Sequence, residues 1–434
     1  MNRSWPQAVD RYLARQSVQG PWRLTGRRRD VYRGAVVIPS LAEGTSLMAT
    51  LDSLAGNPPS VTERFLVVVV FNRGEQTGDA ERQQNERDLL SYQALAETAT
   101  LDLAWIDATR DGLAMPAAQA GVGFARKLGM DLVLPVLDWS ADPLLICLDA
   151  DTLVEEHYLS AIEQHYQHSR CGAAVVKFRH QASADAQGQA AIDRYELFLR
   201  SYVYGLALAG SPYAFQTVGS TMTCRARSYV RCGGMNRRKA GEDFYFLQKL
   251  AKTDGLEAIT ATTVYPQARV SARVPFGTGR SMARLLAGDK AGVLFYPVTA
   301  FQILATWLQS VEDKIMAAPE DLLVGAERIS PALVGYLTGL DALKAWSRIQ
   351  KTHANRTRRL AAFHGWFDGF RTLRLIHHLC ASGLQRGEPE DILPAYFAWE
   401  GVEPPVAVPE MLTALRLRDP LVLDKRLKIE NAVH

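Results

Sequence analysis

The chain has 434 residues, 47% of them hydrophobic and 22% charged, the make-up of an ordinary globular protein with ample material for a core. Its length exceeds one typical domain, and a formal charge of +3 gives no support to nucleic-acid binding as a main role. The five cysteines (Cys147, Cys171, Cys224, Cys232 and Cys380) are odd in number, widely spaced and free of C-x-x-C, which points to a reducing, cytoplasmic setting and argues against a structural zinc site. No apolar run follows Met1, so no secretory signal is expected.

Residues 1–34 read as an appendage: an amphipathic helix around Pro6 to Gln16, then Gly20-Pro21 and the basic run Arg27-Arg28-Arg29, which solvated faces explain. Ala35 to Ile38 is a buried strand that breaks at Pro39 into a loop reaching Glu43, and Leu47 to Leu54 has helical spacing. Phe65 to Phe71 is a second wholly apolar strand, closing at Asn72-Arg73-Gly74. Continuous apolar strands alternating with helices imply a parallel sheet covered on both faces. Residues 75–100 are polar, a longer helix or a mobile insertion. Leu101 to Ile106 is a third strand, and Gly121-Val-Gly123 is a small-residue turn feeding a helix that carries Arg126 and Lys127.

The stretch that organises the chain follows. Leu144 to Leu148 is too short for a helix and reads as a buried strand, ending in Asp149-Ala150-Asp151, the only D-x-D in the sequence. Open parallel sheets bind ligands beyond the carboxyl ends of their strands. Alternation along extended backbone aims both carboxylates the same way, and two hard oxygen ligands so placed suit Mg2+ or Mn2+ holding a diphosphate. The same residues would also serve as a helix start, with Asp151 or Thr152 as N-cap and Glu155 and Glu156 in the first turn.

Ala173 to Phe178 is a further strand. Tyr195 to Phe215, with Tyr202, Tyr204 and Tyr213, is a core helix or else an aromatic wall for a sugar acceptor. Gly219 to Cys224 is a strand entered through Gly219, Glu242 and Asp243 open an amphipathic helix, and Ala258 to Tyr265 is an edge-like strand. Beyond residue 285 the pattern is helical to the end. Ala291 to Ser310 carries no charge, yet Gly292, Pro297, Gln302 and Gln309 make it a poor membrane span; it reads as a buried or interfacial helix pair, and peripheral membrane contact stays open.

Four motifs in order resemble glycosyltransferase family 2: V-V-I-P-x-x-x-E (Val36 to Glu43), the small-residue turn with Ala125-Arg126, the Asp149-Ala-Asp151 pair, and Gly233-Gly234 followed by Gly241-Glu-Asp243. The likeness runs from Ala35 to Gly255. It implies an α/β, GT-A fold, Rossmann-like, with a mostly parallel sheet and helices on both faces, to which a helical C-terminal region is added. Three parts are expected: an N-terminal helical extension (1–34), the transferase domain (35–285) and the helical region (286–434).

By the same resemblance Pro39, Ser40 and Glu43 border the nucleotide, Asp149 lies near ribose and metal, and Asp151 is the direct ligand of Mn2+ or Mg2+. Asp243 would be the general base for the acceptor hydroxyl, oriented by Glu242, and a modestly raised pKa would suit it. Arg126 belongs to the donor site. Three departures stand out. Asn72 occupies the place of a base-pairing aspartate, so a preference for uracil is not implied. Lys127 replaces the usual asparagine of the turn. No histidine occurs between His180 and His353 to complete a metal site. Arg269, Arg273 and Arg280 are candidates to hold the diphosphate instead, with Phe276-Gly-Thr-Gly279 as a flap.

The expected activity is therefore metal-dependent transfer of a sugar from a nucleoside-diphosphate sugar to a glycan, lipid-linked or small-molecule acceptor, with inversion, in cell-envelope or glycoconjugate synthesis. A retaining transferase, a nucleotidyltransferase and a non-catalytic nucleotide-sugar-binding protein are the alternatives. Donor, acceptor and oligomeric state stay open.

Overall fold

The computed structural model describes residues 5–270 and 277–418. By internal contacts the chain divides into two units, one of residues 1–184 and 217–280, the other of 185–216 and 281–434. Residues 185–216 group with the C-terminal helices.

The first unit is built on an eight-stranded sheet: β1 (Gly34–Ser40), β2 (Phe65–Asn72), β3 (Asp102–Ala108), β4 (Leu144–Cys147), β5 (Thr152–Val154), β6 (Ala173–Phe178), β7 (Met222–Arg225) and β8 (Leu256–Pro266), in the order β3-β2-β1-β4-β7-β6-β8-β5. The β3-β2-β1-β4 half is parallel throughout, β7 is reversed between β4 and β6, β8 is parallel to β6, and β5 is antiparallel to β8. The architecture is thus the α/β, mostly parallel sheet expected, with a helical C-terminal region. Val67 to Val70 are sealed on both faces, as their unbroken β-branched run requires.

Local departures have local causes. β1 does not break at Pro39 but continues to Ser40. Strand β4 ends opposite Val37, so the missing N–H of Pro39 forfeits no ladder bond on that side. β8 is not the edge; three-residue β5 covers it, too short to be read from periodicity. Residues 75–100 contain an ordered helix, Asp79–Thr98, anchored by fully buried Tyr92, whose hydroxyl donates to Ala104 O at 3.0 Å. The N-terminal helix Gln7–Arg15 is tied into this unit: Tyr12 Oη donates to Asp131 Oδ1 and Val18 N to Asp131 Oδ2, each at 2.7 Å, and Lys127 Nζ stands 3.0 Å from Asp131 Oδ2.

The second unit holds helix Ala186–Leu208 and the helices from Val298–Lys314 to Val408–Leu417. Tyr204, Tyr213 and Phe215 are buried, and the Tyr202 ring lies 5.9 Å from those of Tyr296 and Phe301, so this aromatic stretch is core rather than a presented wall. The uncharged segment forms a single helix, Val298–Lys314, after a short turn at Ala291–Val293, not a helix pair. Among the described residues no helix is long and apolar enough to cross a membrane.

Candidate functional site

Because β1, β2, β4 and β8 point the same way, their carboxyl ends bring four chain segments to one edge of the sheet. They are the Pro39–Glu43 turn, Asn72, the Asp149–Asp151 pair, and the segment after β8 that carries Arg269.

The aspartate pair does not cap a helix. Thr152–Val154 turns straight into strand, and the next helix starts only at Tyr158, with His157 at its N-cap position. Glu155, expected in a first helical turn, instead clamps β8: it accepts from Thr262 Oγ1 at 3.0 Å, Thr263 N at 2.9 Å and Tyr265 Oη at 2.8 Å. The backbone of the pair is pinned too, Ala150 O by Thr50 Oγ1 at 3.0 Å and Asp151 O by Gln181 Nε2 at 3.0 Å.

Two arginines join the acids. Arg126, on helix Val122–Val133, donates through Nη2 to Asp149 Oδ1 and through Nη1 to Glu242 Oε1. Its side chain is 3% exposed, Glu242's 4% and Asp149's 32%. This crossing explains two glycines. A Cβ on Gly123 would fall 2.4 Å from Arg238 O and 2.8 Å from Glu242 Cβ, so the small-residue turn exists to let the two helices meet. A Cβ on Gly219 would fall 2.1 Å from Arg126 Nη2. Asp149 and Glu242 hold Arg126 further above its ordinary value, against burial.

Arg269 spans the other pair. Its Nε is 3.1 Å and its Nη2 3.0 Å from Asp151 Oδ2, and Nη2 also donates to Glu43 Oε2. Burial, then the Asp149 and Glu43 carboxylates, push Asp151 up to about 6, against the pull of Arg269. Asp243 is the second residue of helix Glu242–Asp254, with its Oδ1 accepting from Phe244 N at 2.7 Å. Burial and then the adjacent Glu242 carboxylate raise Asp243 above the usual carboxylate range; Glu242 is itself raised by burial, opposed by Arg126.

Among the other expected residues, Ser40 and Asn72 are buried at the ends of β1 and β2. With its amide turned to donate, Asn72 Nδ2 lies 3.2 Å from Ser40 O and Val70 O, and so ties the two strand ends together. Arg280 is exposed in the first turn of helix Thr278–Leu286, where Thr278 and Gly279 are helical rather than flap; Arg273 and Phe276 lie outside the described residues. Sequence reasoning missed Asn85 and Asp88. Both are buried on the polar helix Asp79–Thr98 and hold the Glu43 turn: Asn85 Oδ1 accepts from Ala42 N at 2.7 Å and Asp88 Oδ2 from Gly44 N at 3.0 Å. Nothing in that polar run separates them from their solvated neighbours.

The donor set fits a hard divalent cation. Asp149 and Asp151 offer carboxylate oxygens, and among the described residues their side-chain hydrogen bonds engage Oδ1 of the first and Oδ2 of the second. Burial first, and then the crowding of negative charge with Asp149 and Glu43, raise Asp151, and a cation would relieve both.

No protein-family model and no curated protein matches this chain. Solved structures similar to it include the following. S. aureus TarS 1-349 in complex with UDP-GlcNAc is 13% identical over 76% of this chain and 92% of that one, with a TM-score of 0.38. The same TarS region in complex with UDP is 14% identical over 76% and 91%, with a TM-score of 0.36. Mannosyltransferase PcManGT from Pyrobaculum calidifontis, in complex with GDP-Man and Mn2+, is 14% identical over 94% and 91%, with a TM-score of 0.34.

Proposed function

We propose that this protein is a metal-dependent glycosyltransferase that moves a sugar from a nucleoside-diphosphate sugar to an acceptor hydroxyl, with inversion at the anomeric carbon. What supports this reading most is one guanidinium: Arg126 bridges Asp149, in the pair suited to a metal diphosphate, to Glu242, whose neighbour Asp243 is the raised carboxylate. One side chain thereby joins the donor acid Asp149 to Glu242, the neighbour in sequence of the candidate base Asp243.

Asp149 and Asp151 would hold Mn2+ or Mg2+, which neutralises charge on the leaving diphosphate when bound. The chain's own residues do the rest. Pro39, Ser40, Glu43 and Asn72 border the nucleotide. Arg269 and Arg280, with Arg273 beyond the described residues, offer guanidinium forks to phosphate oxygens. Asp243, ionised, accepts the acceptor's hydroxyl proton as that oxygen bonds to the anomeric carbon; the bond from that carbon to the diphosphate oxygen breaks, and the electron pair leaves with the nucleoside diphosphate. The acceptor is a glycan, lipid-linked or small molecule of cell-envelope or glycoconjugate synthesis, met in the cytoplasm or at the membrane's inner face.

Release of nucleoside diphosphate from UDP-, GDP-, CDP- and dTDP-sugars with Mn2+ tests this. One donor class should be turned over by the wild type and not by Asp243→Asn. Release from none, with or without an acceptor mixture, would remove the reading.

A further inference from the structure

At the opposite edge of the same sheet lies a second group of ligating side chains. His165 stands in the last turn of helix Tyr158–His168, Cys171 follows in the loop before β6, and Glu257 stands at the start of β8, paired across to Ala174. Since β6 and β8 run parallel to β4, their starts face away from the edge that carries Asp149 and Asp151. We propose that His165, Cys171 and Glu257 form a binding site for a thiophilic divalent cation of the zinc class, with its fourth position open to water.

The distances carry the argument. A tetrahedral zinc ion with its usual bond lengths holds its nitrogen and carboxylate ligands about 3.4 Å apart and its nitrogen and sulfur ligands about 3.6 Å apart. Here His165 Nε2 is 3.4 Å from Glu257 Oε2 and 3.8 Å from Cys171 Sγ, and all three ligand atoms lie within 4.8 Å of one another. The two separations from His165 thus match those of a tetrahedral ion to within a few tenths of an ångström, and the carboxylate of Glu257, at an exposed position, turns to close the third. Among the described residues no other group of three such side chains converges in this way.

The chemistry of the set differs from that of the aspartate pair. Thiolate and imidazole select a borderline ion over Mg2+ or Mn2+. Cys171 is buried, and its thiol donates to Ala173 O at 3.1 Å; binding releases that proton to solvent as the sulfur–metal bond forms. Arg225 stands close by, committed to Cys171 O at 3.0 Å, Tyr166 O and Ser169 O at 2.7 Å each, and Asp142. Burial pushes the Cys171 thiol up to about 11, against the smaller pull of Arg225, and burial holds His165 toward the neutral, ligating imidazole; Asp142, paired with Arg225, offsets that arginine's repulsion of a cation. Glu257, with 51% of its side chain exposed, leaves a face of the ion to solvent.

The site would fasten the end of one helix to the first residues of β8, the strand that leads to Arg269 at the other edge. Its ligands come from helix, loop and strand, so the lack of a C-x-x-C that argued against zinc in the sequence does not address it. It stands independently of the transferase reading.

Titration of the purified full chain with Co2+ tests the proposal. A thiolate-to-cobalt charge-transfer band should develop and correspond to one ion per chain, apart from any Co2+ held without that band by the aspartate pair; Zn2+ should abolish the band and raise the melting temperature. Cys171→Ser and His165→Ala should abolish the band. Glu257→Gln, at an exposed position that does not endanger folding, should weaken binding by about tenfold or more. Cys232→Ser should leave the band unchanged, and so should Asp151→Ala, which removes only the band-free site. Absence of a thiolate band in the wild type, or an equal band in Cys171→Ser checked for folding by circular dichroism, would overturn the proposal.

Discussion

Arg126 and Glu242 form an ion pair in which neither side chain is more than 4% exposed, and the same guanidinium holds Asp149. Breaking a buried pair from one side leaves an uncompensated charge, at a cost of about 3–5 kcal/mol. Arg126→Met is therefore expected to lose stability on that scale in denaturant unfolding. Gly219→Ala should act through the same contact, since its methyl would occupy the guanidinium's place. Glu242→Gln should cost less, because Arg126 keeps Asp149. Equal stability of Arg126→Met and the wild type would contradict the bridge.

Asp243 must be ionised to take a proton, yet its value in the fold is raised. Activity should accordingly fall as pH drops through a point above the ordinary carboxylate range, an acid limb readable in the pH profile of kcat. Asp243→Asn should lower kcat by about 10²- to 10⁴-fold while nucleotide binding persists. A loss of binding with kcat unchanged would assign Asp243 to the donor site instead.

Asp151 titrates near 6 in the fold against an ordinary 3.8. Between those values the folded chain holds more protons than the unfolded one, so the stability this group contributes is present at low pH and is lost as pH rises through about 6. The full loss is of order 3 kcal/mol. Asp151→Asn removes it, so the variant should melt higher than the wild type at pH 8 without metal, with the difference shrinking toward pH 5. A lower melting temperature for the variant at pH 8 would mean that pairing with Arg269 outweighs burial.

Arg269 lies where a cation would neutralise Glu43 and Asp151. Arg269→Gln should therefore strengthen Mn2+ binding in the absence of nucleotide and weaken nucleoside-diphosphate binding in its presence. Weaker Mn2+ binding by this variant would show that Arg269 organises the acids rather than competing for them.

The parts of this molecule legible in the sequence are those that repeat a local rule. Phe65 to Phe71 announces a buried strand by composition, and Asp149 and Asp151 announce a strand end by following one. What escaped were relations across the chain. Nothing near Met222 tells that β7 runs backwards, because direction depends on where its neighbours lie. Glu155 resembles a helix-start acid until its three donors on β8 are seen. Asn85 and Asp88 look solvated because their burial comes from the Ala42–Gly44 turn, some forty residues earlier. Gly123 reads as part of a turn and Gly219 as the entry to a strand, whereas their purpose is to admit Glu242 and the Arg126 guanidinium.

The most direct test of the donor site is calorimetric titration of UDP, GDP, CDP and dTDP, with and without Mn2+, on the wild type and on Asp151→Ala. One diphosphate should bind only when Mn2+ is present, and Asp151→Ala should abolish that binding. Binding of no diphosphate under either condition, or metal-dependent binding equally strong in Asp151→Ala, would contradict the assignment of this pair as the seat of a metal-bound nucleotide sugar.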